Sequence, residues 1–87
     1  MYKSNINLNL YKTFYEVTKY GSISETAKMT YSSQPAISKS IKRLEDELQT
    51  KLFYRNNNGI ELTDKGKELL FYIEEAYNSL VIAERSM

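Results

Sequence analysis

The sequence predicts a mainly α domain with one small β-hairpin, its elements ordered helix, helix, helix, hairpin, helix. Three observations predict it. Apolar residues recur at helical spacing in separate stretches around Phe14, Ile41 and Ile73. Side chains suited to capping, Asn7, Ser22 and Ser33, stand in front of the first three stretches that read as helix. Asn56-Asn57-Asn58-Gly59, a turn-forming tip, separates two short segments rich in β-branched and aromatic residues.

In the first helix Tyr11, Phe14 and Val17 recur three apart, with Leu10 and Thr18 beside them, and Gly21 is the stop signal. Ser22-Ile23-Ser24-Glu25 is a capping box, in which a serine and a glutamate three residues later satisfy amides left free at a helix start. A second helix therefore begins at once, and Ser32-Ser33 halts it. Ser33 caps a third helix, which tolerates Pro35 in its first turn. Here Ile37, Ile41, Leu44 and Leu48, spaced four, three and four, form a narrow inward stripe. Pro35, Lys39 and Lys42 take the opposite face, with Ser38 on its flank. Glu45, Asp46 and Glu47 fill the last turns and oppose the helix dipole. The basic residues lie nearer the N-terminal end, where a phosphate is also favoured. Leu52-Phe53-Tyr54-Arg55 and Ile60-Glu61-Leu62-Thr63 are the two strands. Thr63 or Asp64 caps a last helix of roughly 22 residues, about 33 Å long. Residues 1–63 thus form one compact unit and 64–87 a helix leaving it.

The chain's 87 residues suffice for a single domain. A domain this small buries only about 60% of the surface its unfolded chain exposes, so its core is thin and a partner chain would help. At 41% hydrophobic and 26% charged it is neither disordered nor membrane-like. The longest apolar run, Leu69 to Ile73, is far short of the roughly 20 residues of a spanning helix. The first residues lack the apolar stretch of a secretory signal. No cysteine is present, which excludes disulfides and thiolate-held metal and fits a cytoplasmic location. No histidine is present either, which excludes the usual zinc sites and histidine acid–base catalysis. No cofactor is expected, and no base, metal-ligand set or phosphate-binding glycine loop accompanies the serines and carboxylates of an enzyme. The net charge of +1 conceals an asymmetry: residues 1–44 carry seven Lys/Arg against two acidic residues, and residues 45–87 carry five against nine. Such a split points to a polyanion on one face.

A short capped helix, a tight turn and a longer helix with a basic outer face make a helix-turn-helix, and the hairpin makes a wing. Ala27 is small enough to let the two helices cross closely. In this arrangement the first helix crosses the backbone of a DNA duplex and props the second, whose N-terminal residues reach base edges in the major groove. Gln34 suits a bidentate bond to adenine, Ser38 a base edge or phosphate, Lys39 guanine or phosphate, and Lys42 phosphate. Arg55 suits the backbone or the adjacent minor groove. Each residue has a plainer alternative. Ser33 caps only, Gln34 is a surface residue, Lys39 and Lys42 form a solvated face, and Arg55 pairs with Glu61 across the hairpin. A winged helix that docks a protein instead of DNA is the rival for the whole, as is another winged-helix regulator family that dimerises through terminal helices; weak salt dependence would mark the protein-docking rival.

From Phe14 to Gly66 the chain resembles the N-terminal domain of LysR-type transcriptional regulators. The likeness is carried by Phe14, Val17, Gly21-Ser22, Ala27, Ser33-Gln34-Pro35-Ala36-Ile37-Ser38-Lys39, Ile41-Lys42-Arg43-Leu44-Glu45, Glu47-Leu48, Leu52-Phe53, Arg55, Leu62-Thr63 and Gly66. The resemblance implies a winged helix-turn-helix on interrupted inverted repeats in promoters, with RNA polymerase as a candidate further partner. It implies that Gln34, Pro35, Ser38 and Lys39 line the major-groove surface and that Arg55 is the wing contact. It also implies a C-terminal effector-binding domain after the last helix. None of that domain is present, so no effector site is expected here. Arg85-Ser86-Met87 does not read as a natural helix end, and the chain is expected to be a piece of such a regulator rather than a stand-alone one. Two departures stand out. Gln49 occupies a place where the family usually has glycine, and a left-handed cap without glycine costs about 1 kcal/mol or more. Thr26 and Thr30 replace an alanine and a leucine, and a buried hydroxyl needs a partner.

Gly66, Leu69, Leu70, Ile73, Ala76, Tyr77, Leu80 and Val81 form a broad apolar stripe on the last helix, with Phe71 and Ile82 outside it. So long a helix outruns so small a core. A homodimer through Leu69, Leu70, Ile73, Tyr77, Leu80 and Val81 is therefore expected, its two-fold symmetry matching a dyad DNA site.

Overall fold

A computed structural model describes residues 4–56 and 59–87. Its elements are α1 (Leu8–Tyr20), α2 (Ile23–Met29), α3 (Gln34–Leu48), β1 (Phe53–Asn56), β2 (Gly59–Leu62) and α4 (Asp64–Ser86). The order is the one the sequence predicts. The hairpin tip at Asn57 and Asn58 lies outside the described residues.

Each helix starts where a side chain can take one of its free amides. Asn7 accepts from the Asn9 N–H at 2.8 Å, Ser22 from Glu25 at 3.0 Å, Ser33 from Ala36 at 3.2 Å and Thr63 from Gly66 at 3.0 Å. Of the two candidates for the last cap, Thr63 is the one used. α1 closes on Gly21, whose φ of 83° is open to glycine without strain. α3 closes the same way on Gln49, at φ 54°, despite its β-carbon. The Gln49 N–H donates to the Asp46 carbonyl at 3.3 Å and the Thr50 N–H to the Glu45 carbonyl at 3.0 Å, the paired bonds of a left-handed helix stop. The Gln49 side-chain amide adds a third donor, 2.6 Å from the Asp46 carbonyl. The glutamine thus supports the strained turn that it occupies.

The first three helices pack around Phe14, Val17, Ile37, Ile41 and Leu44, all buried. Leu52 and Phe53 at the hairpin root and Ile73 of α4 complete this core, with the Phe14 and Phe53 ring centroids 5.1 Å apart. Burying one such side chain contributes about 1.5–3 kcal/mol. Ala27, also buried, lies on α2. Thr26 is fully buried beside it, and its hydroxyl donates to the Ser22 carbonyl at 2.7 Å; Thr30 does the same to Thr26 at 2.7 Å. Each threonine bonds back one turn along its own helix, so replacing the apolar residues leaves no orphaned hydroxyl. Among the described residues no buried side-chain nitrogen or oxygen lacks a partner.

The hairpin pairs Phe53 with Leu62, Tyr54 with Glu61, Arg55 with Ile60 and Asn56 with Gly59. Thr63 fastens its base: its N–H donates to the Leu52 carbonyl at 3.0 Å and its hydroxyl to the Lys51 carbonyl at 2.7 Å. α4 then passes so close to Leu52 that only a glycine fits at residue 66, where a β-carbon would press on the Leu52 carbonyl oxygen and lie 2.8 Å from Leu62 Cδ2. Beyond Ile73 the helix leaves the core, and every residue from Glu74 onward is exposed.

Candidate nucleic-acid interface

α3 presents its first turn to solvent. Ser33 caps it, and Gln34, Pro35 and Lys39 are exposed on one side. The buried stripe of Ile37, Ile41 and Leu44 fixes that orientation, because on a helix the residues between the inward positions must point out. Ser38 is half-buried at the edge facing the wing, and the Arg55 guanidinium donates to its hydroxyl at 3.3 Å. Arg55 therefore turns toward α3. Its alternative partner, Glu61, sits on the other face of the hairpin: directly opposed residues share a face, and Arg55 opposes Ile60 while Glu61 opposes Tyr54. The cross-hairpin ion pair is thus excluded by register.

Between α3 and the hairpin lies an open groove of about 460 Å³ with an apolar floor of Ile41, Phe53 and Ile60. Lys39, Lys42, Lys51 and Arg55 line it. Lys42 lies 2.7 Å from Asp46, one turn on, and both are largely exposed. The hydrogen bond and charge of Asp46 hold the Lys42 ammonium above the ordinary lysine range, so it stays protonated. Arg43 is similarly offset by Glu47 at 3.6 Å. Part of the cationic charge of α3 is therefore paired within the helix, in bonds that solvent screens and that a phosphate can replace.

Two residues of this region were not singled out from the sequence as site residues. Lys51, just before β1, adds a cation to the groove; only its basic charge signalled it, because its place depends on how α3 ends. Glu45 belongs to the groove as well, yet it is 9% exposed. One carboxylate oxygen accepts from the Leu52 N–H at 2.7 Å and the Phe53 N–H at 3.2 Å. Besides standing near the end of α3, Glu45 thus holds the start of β1. Its signal was present in the spacing, since Ile37, Ile41 and Glu45 follow one another at four-residue intervals on the inward face.

The residues expected to form a dimer contact divide into three groups. Ile73 is buried in the core of its own chain, Leu69 and Leu70 are half-buried against that core, and Tyr77, Leu80 and Val81 are exposed. Leu69, Ile73, Tyr77 and Leu80 join Leu8 and Tyr11 of α1 along an apolar groove of about 430 Å³. Tyr77 also meets Tyr15, with ring centroids 5.3 Å apart. Among the described residues no helix is long and apolar enough to cross a membrane, and no cluster of acidic side chains is arranged to hold a metal ion.

Residues 8–67 match the profile of the family described as bacterial regulatory helix-turn-helix protein, lysR family. The chain belongs to this family. It is a family of regulators rather than enzymes. Among lysR-type relatives, the HTH-type transcriptional regulator GltR of Bacillus subtilis is 37% identical over 82 residues, covering 94% of this chain and 28% of GltR. The uncharacterized HTH-type transcriptional regulator YoaU of the same organism is 47% identical over 66 residues, 75% of this chain and 23% of YoaU. The chain thus spans about a quarter of the length of these relatives. In three dimensions it is similar to the CbnR DNA-binding domain in its complex with DNA, with a TM-score of 0.76 at 34% identity over 93% of this chain and 90% of that one. It is also similar to full-length AphB of Vibrio cholerae, with a TM-score of 0.82 at 25% identity over 93% of this chain and 28% of AphB. The four helices and two-stranded hairpin are the winged helix-turn-helix of lysR-family DNA-binding domains.

Proposed function

We propose that this chain binds double-stranded DNA sequence-specifically, as the DNA-contacting domain of a transcription regulator acting as a homodimer on a dyad promoter site. The observation that carries the proposal is the single cationic groove shared by the exposed face of α3 and Arg55 of the wing. Family membership and the likeness to CbnR's DNA complex support it. In this reading Gln34, Pro35, Ser38 and Lys39 approach base edges in the major groove, Ser33 holds the start of α3, and Lys42 and Arg55 meet phosphates. Lys42 exchanges Asp46 for a phosphate as it does so. In this reading the protein acts in the cytoplasm, with RNA polymerase as a candidate neighbour at the promoter.

The dimer is proposed through α4. Tyr77, Leu80 and Val81 supply the free apolar surface, Leu69 and Leu70 border it, and Ile73 anchors the helix to its own core. A two-fold pair would set two α3 helices about one DNA turn, or a multiple of one, apart. Selection from random duplex DNA with this chain, at low and moderate salt, tests both parts. An enriched dyad motif supports the reading and gives the half-site spacing. Retention at no salt concentration would sink it and favour a protein-docking role.

A further inference from the structure

We infer that Glu45 is a positioning residue for the wing, setting where Arg55 meets DNA; this rests on the duplex-binding reading above. α3 and β1 are joined at two levels. At the upper level Glu45 holds the Leu52 and Phe53 amides. At the lower level Arg55 donates to Ser38. Ser38 and Glu45 are separated by about 10.5 Å along the helix, at roughly 1.5 Å per residue. From Phe53 to Arg55 the strand advances about 6.6 Å. β1 therefore runs back along α3 toward the end that carries Gln34, and Arg55 is the residue that completes the approach.

The two amides that Glu45 binds lie at the root of the wing, where Leu52 and Phe53 are buried. Buried amides must be paired. The carboxylate is thus the pivot from which the hairpin leaves the helix, and its charge is turned inward, toward the amides. This arrangement reverses the sign of an otherwise simple expectation. Glu45 lines a groove that also holds Lys39, Lys42, Lys51 and Arg55. On charge alone, removing an anion from such a groove strengthens phosphate binding. If Glu45 positions the wing, removing it weakens binding, and does so only while Arg55 is there to be positioned.

The test is a double-mutant cycle in the 87-residue chain. Glu45→Ala and Glu45→Gln are each made with Arg55 intact and with Arg55→Ala. Affinity is measured for the duplex that the unaltered chain enriches from a random pool. The temperature is one at which circular dichroism shows every variant folded. With Arg55 intact, Glu45→Ala is expected to weaken binding roughly tenfold, the scale of a lost charge-assisted contact. In the Arg55→Ala background the loss should fall below about twofold, the ordinary error of additivity. Glu45→Gln keeps an accepting oxygen and should fall between, and it carries the test if Glu45→Ala does not fold. Tighter binding, or the same loss in both backgrounds, overturns the positioning role. So does an Arg55→Ala chain that binds as well as the original. If the original chain enriches no duplex, the sequence-specific reading itself fails, and this inference falls with it.

Discussion

Replacing Gly66 with alanine adds a single methyl group at the point where α4 crosses the root of the wing. That methyl would press on the Leu52 carbonyl oxygen and stand 2.8 Å from Leu62 Cδ2. The first of these is backbone, held in place by the Thr63 N–H at 3.0 Å, and cannot swing aside as a side-chain tip can. Overpacking of this kind costs about 1–3 kcal/mol. If the helix start shifts to relieve it, the bond from the Gly66 N–H to the Thr63 hydroxyl is lost, a further ~1 kcal/mol. Alanine's better helix propensity returns about 1 kcal/mol. The net expectation is a loss of about 2 kcal/mol, which in a domain of this size lowers the melting temperature by on the order of 10 °C. Thermal unfolding followed by circular dichroism measures it directly. An unchanged or raised melting temperature would refute the reasoning, since it would mean that α4 and Leu52 are not held at this distance in solution.

Other substitutions separate the roles of neighbouring side chains. Gln34→Ala should relax base preference at one position per half-site, costing about 1–3 kcal/mol there, whereas an equal loss on every sequence in a competition assay would reduce Gln34 to a backbone contact. Lys42→Ala should weaken binding to all sequences and make the salt slope shallower by about one unit. Asp46→Asn should do the reverse, freeing Lys42 from its partner; identical slopes for all three proteins would remove this pair from the phosphate set. Tyr31, at φ 55° and 98% exposed, spends backbone strain without visible packing, so Tyr31→Asn should raise stability by about 0.5–1 kcal/mol in urea unfolding. If α4 forms the proposed dimer, Leu80→Glu should abolish it in sedimentation without lowering the melting temperature of the monomer, because Leu80 is 58% exposed in the single chain.

The fold was legible because the signals that define it are local. Asn7, Ser22 and Ser33 cap the helices they precede, and Gly21 ends the first, each by a bond within one turn. The stripe through Ile37, Ile41 and Leu44 is likewise a matter of spacing, and it fixed which face of α3 remains outside. What depends on tertiary contact was less legible. Whether Arg55 turns to Glu61 or to Ser38 is decided by strand register, and register depends on the whole hairpin. Ile73 falls on the same helical stripe as Leu80, yet one is buried and the other exposed, because α1 and the hairpin cover only the first half of α4. Glu45 was hidden by its chemistry: a carboxylate on an apolar stripe makes sense only once two amides from a later segment are known to reach it. Gln49 shows the limit of residue-type rules, since a side-chain bond to Asp46 accompanies a turn usually left to glycine.

Thr63 ties Lys51, Leu52 and Gly66 together with three hydrogen bonds. In mechanical terms it is a fulcrum. On one side is a lever arm, α4, about 34 Å long at roughly 1.5 Å per residue, whose outer part is exposed. On the other side is the hairpin, short and joined to α3 through two side chains, Glu45 and Arg55. A tilt of α4 would bear on the root of the wing, where Gly66 lies against Leu52, and on α1, which α4 meets through Tyr77 and Tyr15. In the DNA-binding reading proposed above, such a tilt would alter how Arg55 of the wing, which donates to Ser38 of α3, meets a phosphate backbone.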